Sequence, residues 1–352
     1  MQNALDLTRW QTPGRAQLEP SARRFVLVLL VCALSSALMA GWLPLQVSII
    51  TVFLFAGPHN WFELRYFLMR LPVRFGRSRN FFLAAFTGLG LLSIAYLSLP
   101  FVYKATYWSQ ESWSIVLASW NTLLLLWLGL LVWLRAKQKT RSNWSWIAPV
   151  LLALCSLNWL QPDFFSLAIV YVHPLIALWF LDRHLGRTRP SWLPAYRRCL
   201  CLLPLLLLVM IARLSGSQSL NDDNGLFWRI TQHSGAELLP QVSSHLLVSV
   251  HLFLELLHYG VWILALTLVG PLMLATNGPN PNARVWDVKT VPLSRHPRGF
   301  PKLVAGLLVT GLVLVVALWL GFSVDYTTTR DVYFTVAIAH VLAEAPFLLK
   351  ML

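Results

Sequence analysis

The stretch His251-Leu-Phe-Leu-Glu255-Leu-Leu-His258 lies inside an apolar run, residues 244–273, that is long enough to cross a bilayer. Placed on a helix, His251, Glu255 and His258 fall at i, i+4 and i+7 and share one face. Two imidazoles and a carboxylate are costly to bury in hydrocarbon, so ionisable residues within a span point to a functional site. The stretch predicts a membrane helix with one chemically active face.

The composition agrees. Hydrophobic residues make up 57% of the 352 and charged residues only 12%, with 17 Trp. That balance excludes a soluble globular domain and fits an all-α, polytopic membrane bundle. At about 20 apolar residues per crossing, the chain holds ten spans, near 25–42, 45–68, 81–103, 113–134, 145–160, 164–182, 199–214, 244–273, 302–322 and 331–350. The organisation is a polar cytoplasmic tail, 1–24, followed by a single transmembrane domain, 25–352. The tail is expected to be soluble, being too long and too acidic for the n-region of a signal peptide.

The positive-inside rule tests the count. With both termini cytoplasmic, 24 of the 28 Lys and Arg fall on inner segments, leaving Lys104, Arg213, Arg229 and Arg330 outside. One miscounted span would scramble that alternation. The net charge of +14 is therefore a topology signal, suited to anionic headgroups of a bacterial-type inner or plasma membrane. It is no nucleic-acid signature, because the arginines are scattered over short loops without a basic face. Cys32, Cys155, Cys199 and Cys201 lie in or beside apolar segments and imply no disulfide framework.

Six glutamates occur, at 19, 63, 111, 237, 255 and 344, and only Glu63, Glu255 and Glu344 lie within spans. Each follows a histidine by four residues, giving the pairs His59–Glu63, His251–Glu255 and His340–Glu344. That spacing puts both side chains on one helix face. His59, His173, His251, His258 and His340 all fall on spans running from outside to inside, at overlapping depths of roughly 10–21 Å at ~1.5 Å rise per residue. One shared polar cavity is geometrically open to them. Pro58 and Pro174 adjoin two of these histidines and Pro346 follows Glu344, and helix-interior proline is tolerated where backbone lines a cavity.

Imidazole with carboxylate suits a divalent metal such as iron, manganese or zinc, and a histidine-rich set with oxygen ligands leans towards non-haem iron. His59, His173, His251, His258 and His340 are the candidate ligands. Glu63, Glu255 and Glu344 are candidate catalytic groups, either ligands or orienters of the histidines. The same residues can instead form a proton relay in a coupled transporter, or neutral structural contacts in a scaffold. His184 and His296 are expected at the basic inner surface, His233 and His245 near the outer one. Asp163 is expected to cap the sixth span, and Asp182 to pair with its neighbour Arg183.

The element Pro58-His59-Asn60-Trp61-Phe62-Glu63 resembles the Pro-His-then-acid motif of the Brp/Blh family of integral-membrane β-carotene dioxygenases. The cluster from His251 to His258 is similar in style to that family's second histidine group. The resemblance covers about thirty residues. It implies an iron centre held mainly by histidines, acting with O2 on a long isoprenoid. The expected function is a membrane metal-dependent oxidoreductase whose partners are the bilayer and a lipophilic small molecule.

Overall fold

The computed structural model describes residues 20–106, 109–139, 143–223, 225–266, 288–297 and 299–351. The tail up to residue 19, the end of the eighth predicted span beyond 266 and most of the inner segment 274–301 lie outside them. The described residues are helical throughout, with no strand among them.

The helices are α1 (Pro20–Trp42), α2 (Pro44–Arg70), α3 (Arg79–Thr106), α4 (Gln110–Gln138), α5 (Ile147–Leu160) and α6 (Pro162–Thr188), then α7 (Leu193–Leu200), α8 (Leu202–Leu214) and α9 (Gly225–His233). α10 (Ser244–Tyr259) runs on into a π-helical turn, Gly260–Ala265, and α11 (Pro301–Val324) and α12 (Tyr326–Met351) complete the bundle. Pro44, Pro162 and Pro301 open α2, α6 and α11. Their missing N–H costs nothing in a first turn, so the apolar runs start sharply there. Pro58, Pro174 and Pro346 lie inside helices, each within two residues of a candidate site residue.

Eight helical stretches are long and apolar enough to cross a membrane: Ser21–Trp42, Gly76–Tyr103, Glu111–Gln138, Pro162–Thr188, Pro190–Leu214, Ser244–Ala265, Pro301–Val324 and Tyr326–Met351. Two of the ten predicted spans fall outside that set for different reasons. α2 has 27 residues, ample length, but His59, Asn60, Glu63 and Arg65 lower its hydropathy. α5 is apolar but has 14 residues, about 21 Å at ~1.5 Å each, short of a ~30 Å hydrocarbon core. The seventh predicted span begins earlier than its apolar run suggests, as α7 and α8 continue each other through Cys201.

The stretch from Ser244 to Ala265 is the central element: 83% of its most apolar window is buried, against 17–44% in the other candidate spans. α1, α2, α6 and α8 pack around it. A helix buried on all sides must be apolar on all sides except where another polar group meets it, which accounts for the leucines between the polar positions of α10. Close approach is bought with small residues, as in membrane bundles generally. A Cβ on Gly260 would lie 2.7 Å from Cys32 Sγ of α1, and one on Gly57 3.1 Å from Val315 of α11. Where helices carry polar side chains away from the candidate site, those side chains bond one another. Asn121 donates to Asn158 Oδ1 at 2.8 Å, and Asn158 donates to Ala118 O at 2.8 Å, tying α4 to α5.

Three surface expectations change. His184 is buried, with Arg70 Nη2 2.7 Å from its Nδ1, because the C-terminal ends of α2 and α6 close over it. Asp182 pairs with Arg197 (2.8 and 3.1 Å) across α6 and α7 instead of with adjacent Arg183, since neighbours in sequence diverge on a helix. Asp163 sits in the first turn of α6, while Gln161 occupies the cap position.

Candidate metal centre

Four helices bring the polar residues together. α2 supplies His59 and Glu63, α6 supplies His173, α10 supplies His258, and α12 supplies His340 and Glu344. Ring centroids are 5.3 Å apart for His59–His258 and for His59–His340, 4.7 Å for His173–His258, 5.1 Å for His173–His340 and 6.4 Å for His258–His340. Candidate ligand atoms of His59, His258 and His340 all lie within 4.8 Å of one another, as do those of His173, His258 and Glu344. These groups could hold a metal ion.

The hydrogen bonding points the same way. His59 Nδ1 lies 3.0 Å from Phe55 O, one turn back on α2. A carbonyl only accepts, so Nδ1 carries the proton and Nε2 is left with a lone pair. That Nε2 is buried and has no partner. His340 Nδ1 and both carboxylate oxygens of Glu63 are likewise buried without a hydrogen-bond partner. Native interiors leave very few buried polar atoms unsatisfied. Several such atoms gathered at one point are compatible with a site that could hold a cation.

The sequence spacing aligned each glutamate with the histidine one turn before it, but the closest imidazole–carboxylate approach runs between helices. His173 Nδ1 of α6 lies 3.0 Å from Glu344 Oε2 of α12. None of the three in-helix pairs forms an ion pair among the described residues. Glu63 and Glu344 are within electrostatic range of each other, and both are essentially inaccessible, at 1% and 0% exposure. Two like charges there would demand a neutralising partner.

His251 and Glu255 take other positions. The His251 ring sits 5.1 Å from that of His233 and 5.7 Å from Tyr171, and neither residue belongs to a candidate ligand group. Seven residues separate His251 from His258, roughly 10 Å along the helix at ~1.5 Å per residue, so only the inner one reaches the cluster. Glu255 accepts a hydrogen bond from Tyr259 at 2.8 Å, and the Tyr259 ring packs 4.4 Å from His59. His251 and Glu255 nevertheless border the same cavity as His59, His173, His258 and His340, a space of about 420 Å³.

Sequence reasoning missed several contributors. His233, expected at the outer interface, packs on His251 and on Phe334, with centroids 4.4 Å apart in the second case. It comes from the short helix α9, whose nine residues carry no span-like signal. Tyr259 follows Glu255 by four residues and Tyr333 precedes His340 by seven, so both were on faces that the helical period could have flagged. The π-helical turn that follows Tyr259 had no visible signature; such turns recur at functional sites.

No protein family, curated protein or solved structure matches the chain.

Proposed function

We propose that the chain is a ten-span integral membrane oxidoreductase with both termini cytoplasmic, using a divalent metal, non-haem iron, on a lipid or isoprenoid substrate. The observation that carries this is the convergence of four imidazoles and two carboxylates from four helices, several of them with unpartnered buried atoms. The chemistry of the donor set favours iron, since imidazole with carboxylate and room for a further ligand is the arrangement of non-haem iron oxygenases. The resemblance of residues 58–63 to the Brp/Blh dioxygenases leads to the same class.

In this reading His59, His173, His258 and His340 hold the ion, and it would supply binding and activation of O2. Glu344 orients His173 through Nδ1, as carboxylates do for metal-bound histidines, and Glu63 balances the second positive charge. The His59 Nδ1 contact to Phe55 fixes the tautomer that turns Nε2 towards the centre. Tyr259 packs against His59 and places its phenol on Glu255, holding both in position. His251 and Glu255 line the approach to the centre. A site at this depth is reached most directly by a molecule already dissolved in the bilayer.

The test is metal analysis of protein purified without chelator. Near-stoichiometric iron, together with O2 consumption on adding an isoprenoid extract, is the expected result. Metal-free protein that moves a solute with a proton gradient would replace the enzyme by a carrier.

A further inference from the structure

The cavity extends beyond the histidine cluster. From His173 back to Asp163, both on its wall, α6 rises about 15 Å at ~1.5 Å per residue. At that far end Tyr96 and Gln232 line the wall with groups that both donate and accept, and one buried acceptor stands without a donor. Asn121 is fully buried, and its Nδ2 is spent within the protein, on Asn158 Oδ1 at 2.8 Å and on Pro162 O and Ser166 Oγ at 3.4 Å each. Ser166 donates its own proton to Pro162 O at 3.1 Å. Asn121 Oδ1 is left without a partner. Asp163 and Glu237 add carboxylates to the same wall.

The sign of the charge matters more in this chain than in most. Its net charge is +14, yet the described residues of the cavity wall include three acids, Asp163, Glu237 and Glu255, and no Lys or Arg. The buried Arg330 is not on the wall; its guanidinium packs on the Phe334 ring at 4.6 Å. Acids at a cavity mouth are ordinarily just solvated side chains. The orphaned oxygen of Asn121 is not explained that way, because a buried acceptor without a donor costs free energy.

We propose that this end of the cavity binds the polar head of an amphiphile through donated hydrogen bonds, as an alcohol or amine supplies them, while its apolar body reaches the histidines about 15 Å away at helical rise. This rests on the reading of the cluster as a centre acting on a lipid. A carboxylate head would meet like charge and a second acceptor, and such unpaired juxtapositions are how sites refuse a near analogue.

The experiment measures binding of tritiated farnesol to the purified protein in nanodiscs, with farnesol, farnesylamine and farnesoic acid as competitors. Alcohol and amine should compete comparably, and the acid about tenfold or more weakly, the usual scale of one mismatched polar contact. Asn121→Leu should weaken farnesol about tenfold, and Asp163→Asn/Glu237→Gln should narrow the gap between acid and alcohol. Equal or preferred binding of the acid by the unaltered protein overturns the proposal, and that comparison needs no variant to fold. Metal is measured on the same samples. Metal-free protein that still prefers the alcohol defeats the metal reading alone, whereas metal-loaded protein that prefers the acid defeats this inference alone.

Discussion

His340 Nε2 and His173 Nε2 lie 3.2 Å apart, one from α12 and one from α6. Two nitrogens each about 2.0–2.1 Å from one ion, at a tetrahedral angle, would stand about 3.3 Å apart. The backbone thus already holds this pair at a spacing one ion can use. His173 is also tied to Glu344 through its other nitrogen, at 3.0 Å, so the pair is set from both sides.

Alanine at His340 or His258 is therefore expected to abolish stoichiometric metal, whereas His251→Ala should retain it, although His251 and His258 share a helix face. Elemental analysis of matched preparations checks this. Metal lost equally from both α10 variants would mean that the centre reaches His251 and that the ligand set proposed here is mistaken.

The carboxylates make a separate prediction. A divalent ion with Glu63 and Glu344 is electrically neutral, which a buried site requires. Without the ion, the two buried acids carry a burden that glutamine does not. Metal should raise the thermal midpoint of the native protein by mass action and have far less effect on Glu63→Gln/Glu344→Gln. Affinity should fall about 10–100-fold per replacement if the carboxylate acts from outside the coordination sphere. Competition with a graded chelator series reads the affinity. An unchanged metal-induced shift in the double variant would remove the charge-balance argument.

Much of this was legible in the sequence, for identifiable reasons. Span length and apolarity are local properties, so α11 and α12 could be placed to within about five residues, and α10 begins at the predicted Ser244. The His-x-x-x-Glu spacing specified faces correctly, since the helical period fixes which side chains align. What it could not specify is how each helix is rotated and shifted against its neighbours. That is decided by packing, such as Gly260 against Cys32 and Gly57 against Val315. Hence His173, which has no acid four residues on, is the histidine that meets Glu344, while His251, which has one, pairs with His233. The latter was illegible because α9 has nine residues and lies outside any span-like pattern.

The C-terminal end of α12 supplies a stability prediction. The last carbonyls of a helix lack intrahelical partners, and here two arginines from other helices satisfy them. Arg135 donates to Leu349 O and Lys350 O at 3.1 Å each, and Arg187 to Met351 O at 2.6 Å. Charged hydrogen bonds of this kind are worth roughly 1.5–3 kcal/mol, and cations there also complement the helix dipole. Arg135→Ala should lower the thermal midpoint measured in detergent, while metal content below that midpoint stays unchanged because the ligands lie farther along α12. Loss of metal at low temperature would show instead that the clamp positions Glu344.

Topology can be settled at two exposed turns. In the ten-span arrangement α2 and α5 both cross, which puts Arg77 inside and Gln161 outside; if α2 did not cross, Arg77 would lie outside. Both residues are solvent-exposed. In a background free of the four native cysteines, Arg77→Cys should react with a membrane-impermeant maleimide only after permeabilisation, and Gln161→Cys in intact cells. Labelling of Arg77→Cys in intact cells would leave α2 as a helix that does not cross. The depths assigned to His59 and Glu63 would then fail with it, since both are counted from the outer end of that helix. Protection of Gln161→Cys would instead confine the 14-residue α5 to one leaflet. The bilayer can thin around a short span at a cost of fractions of a kcal/mol per ångström of mismatch. About 21 Å of helix at ~1.5 Å per residue is therefore enough for α5 to cross, and the basic residues at the C-terminal end of α4 favour keeping the α4–α5 connection inside.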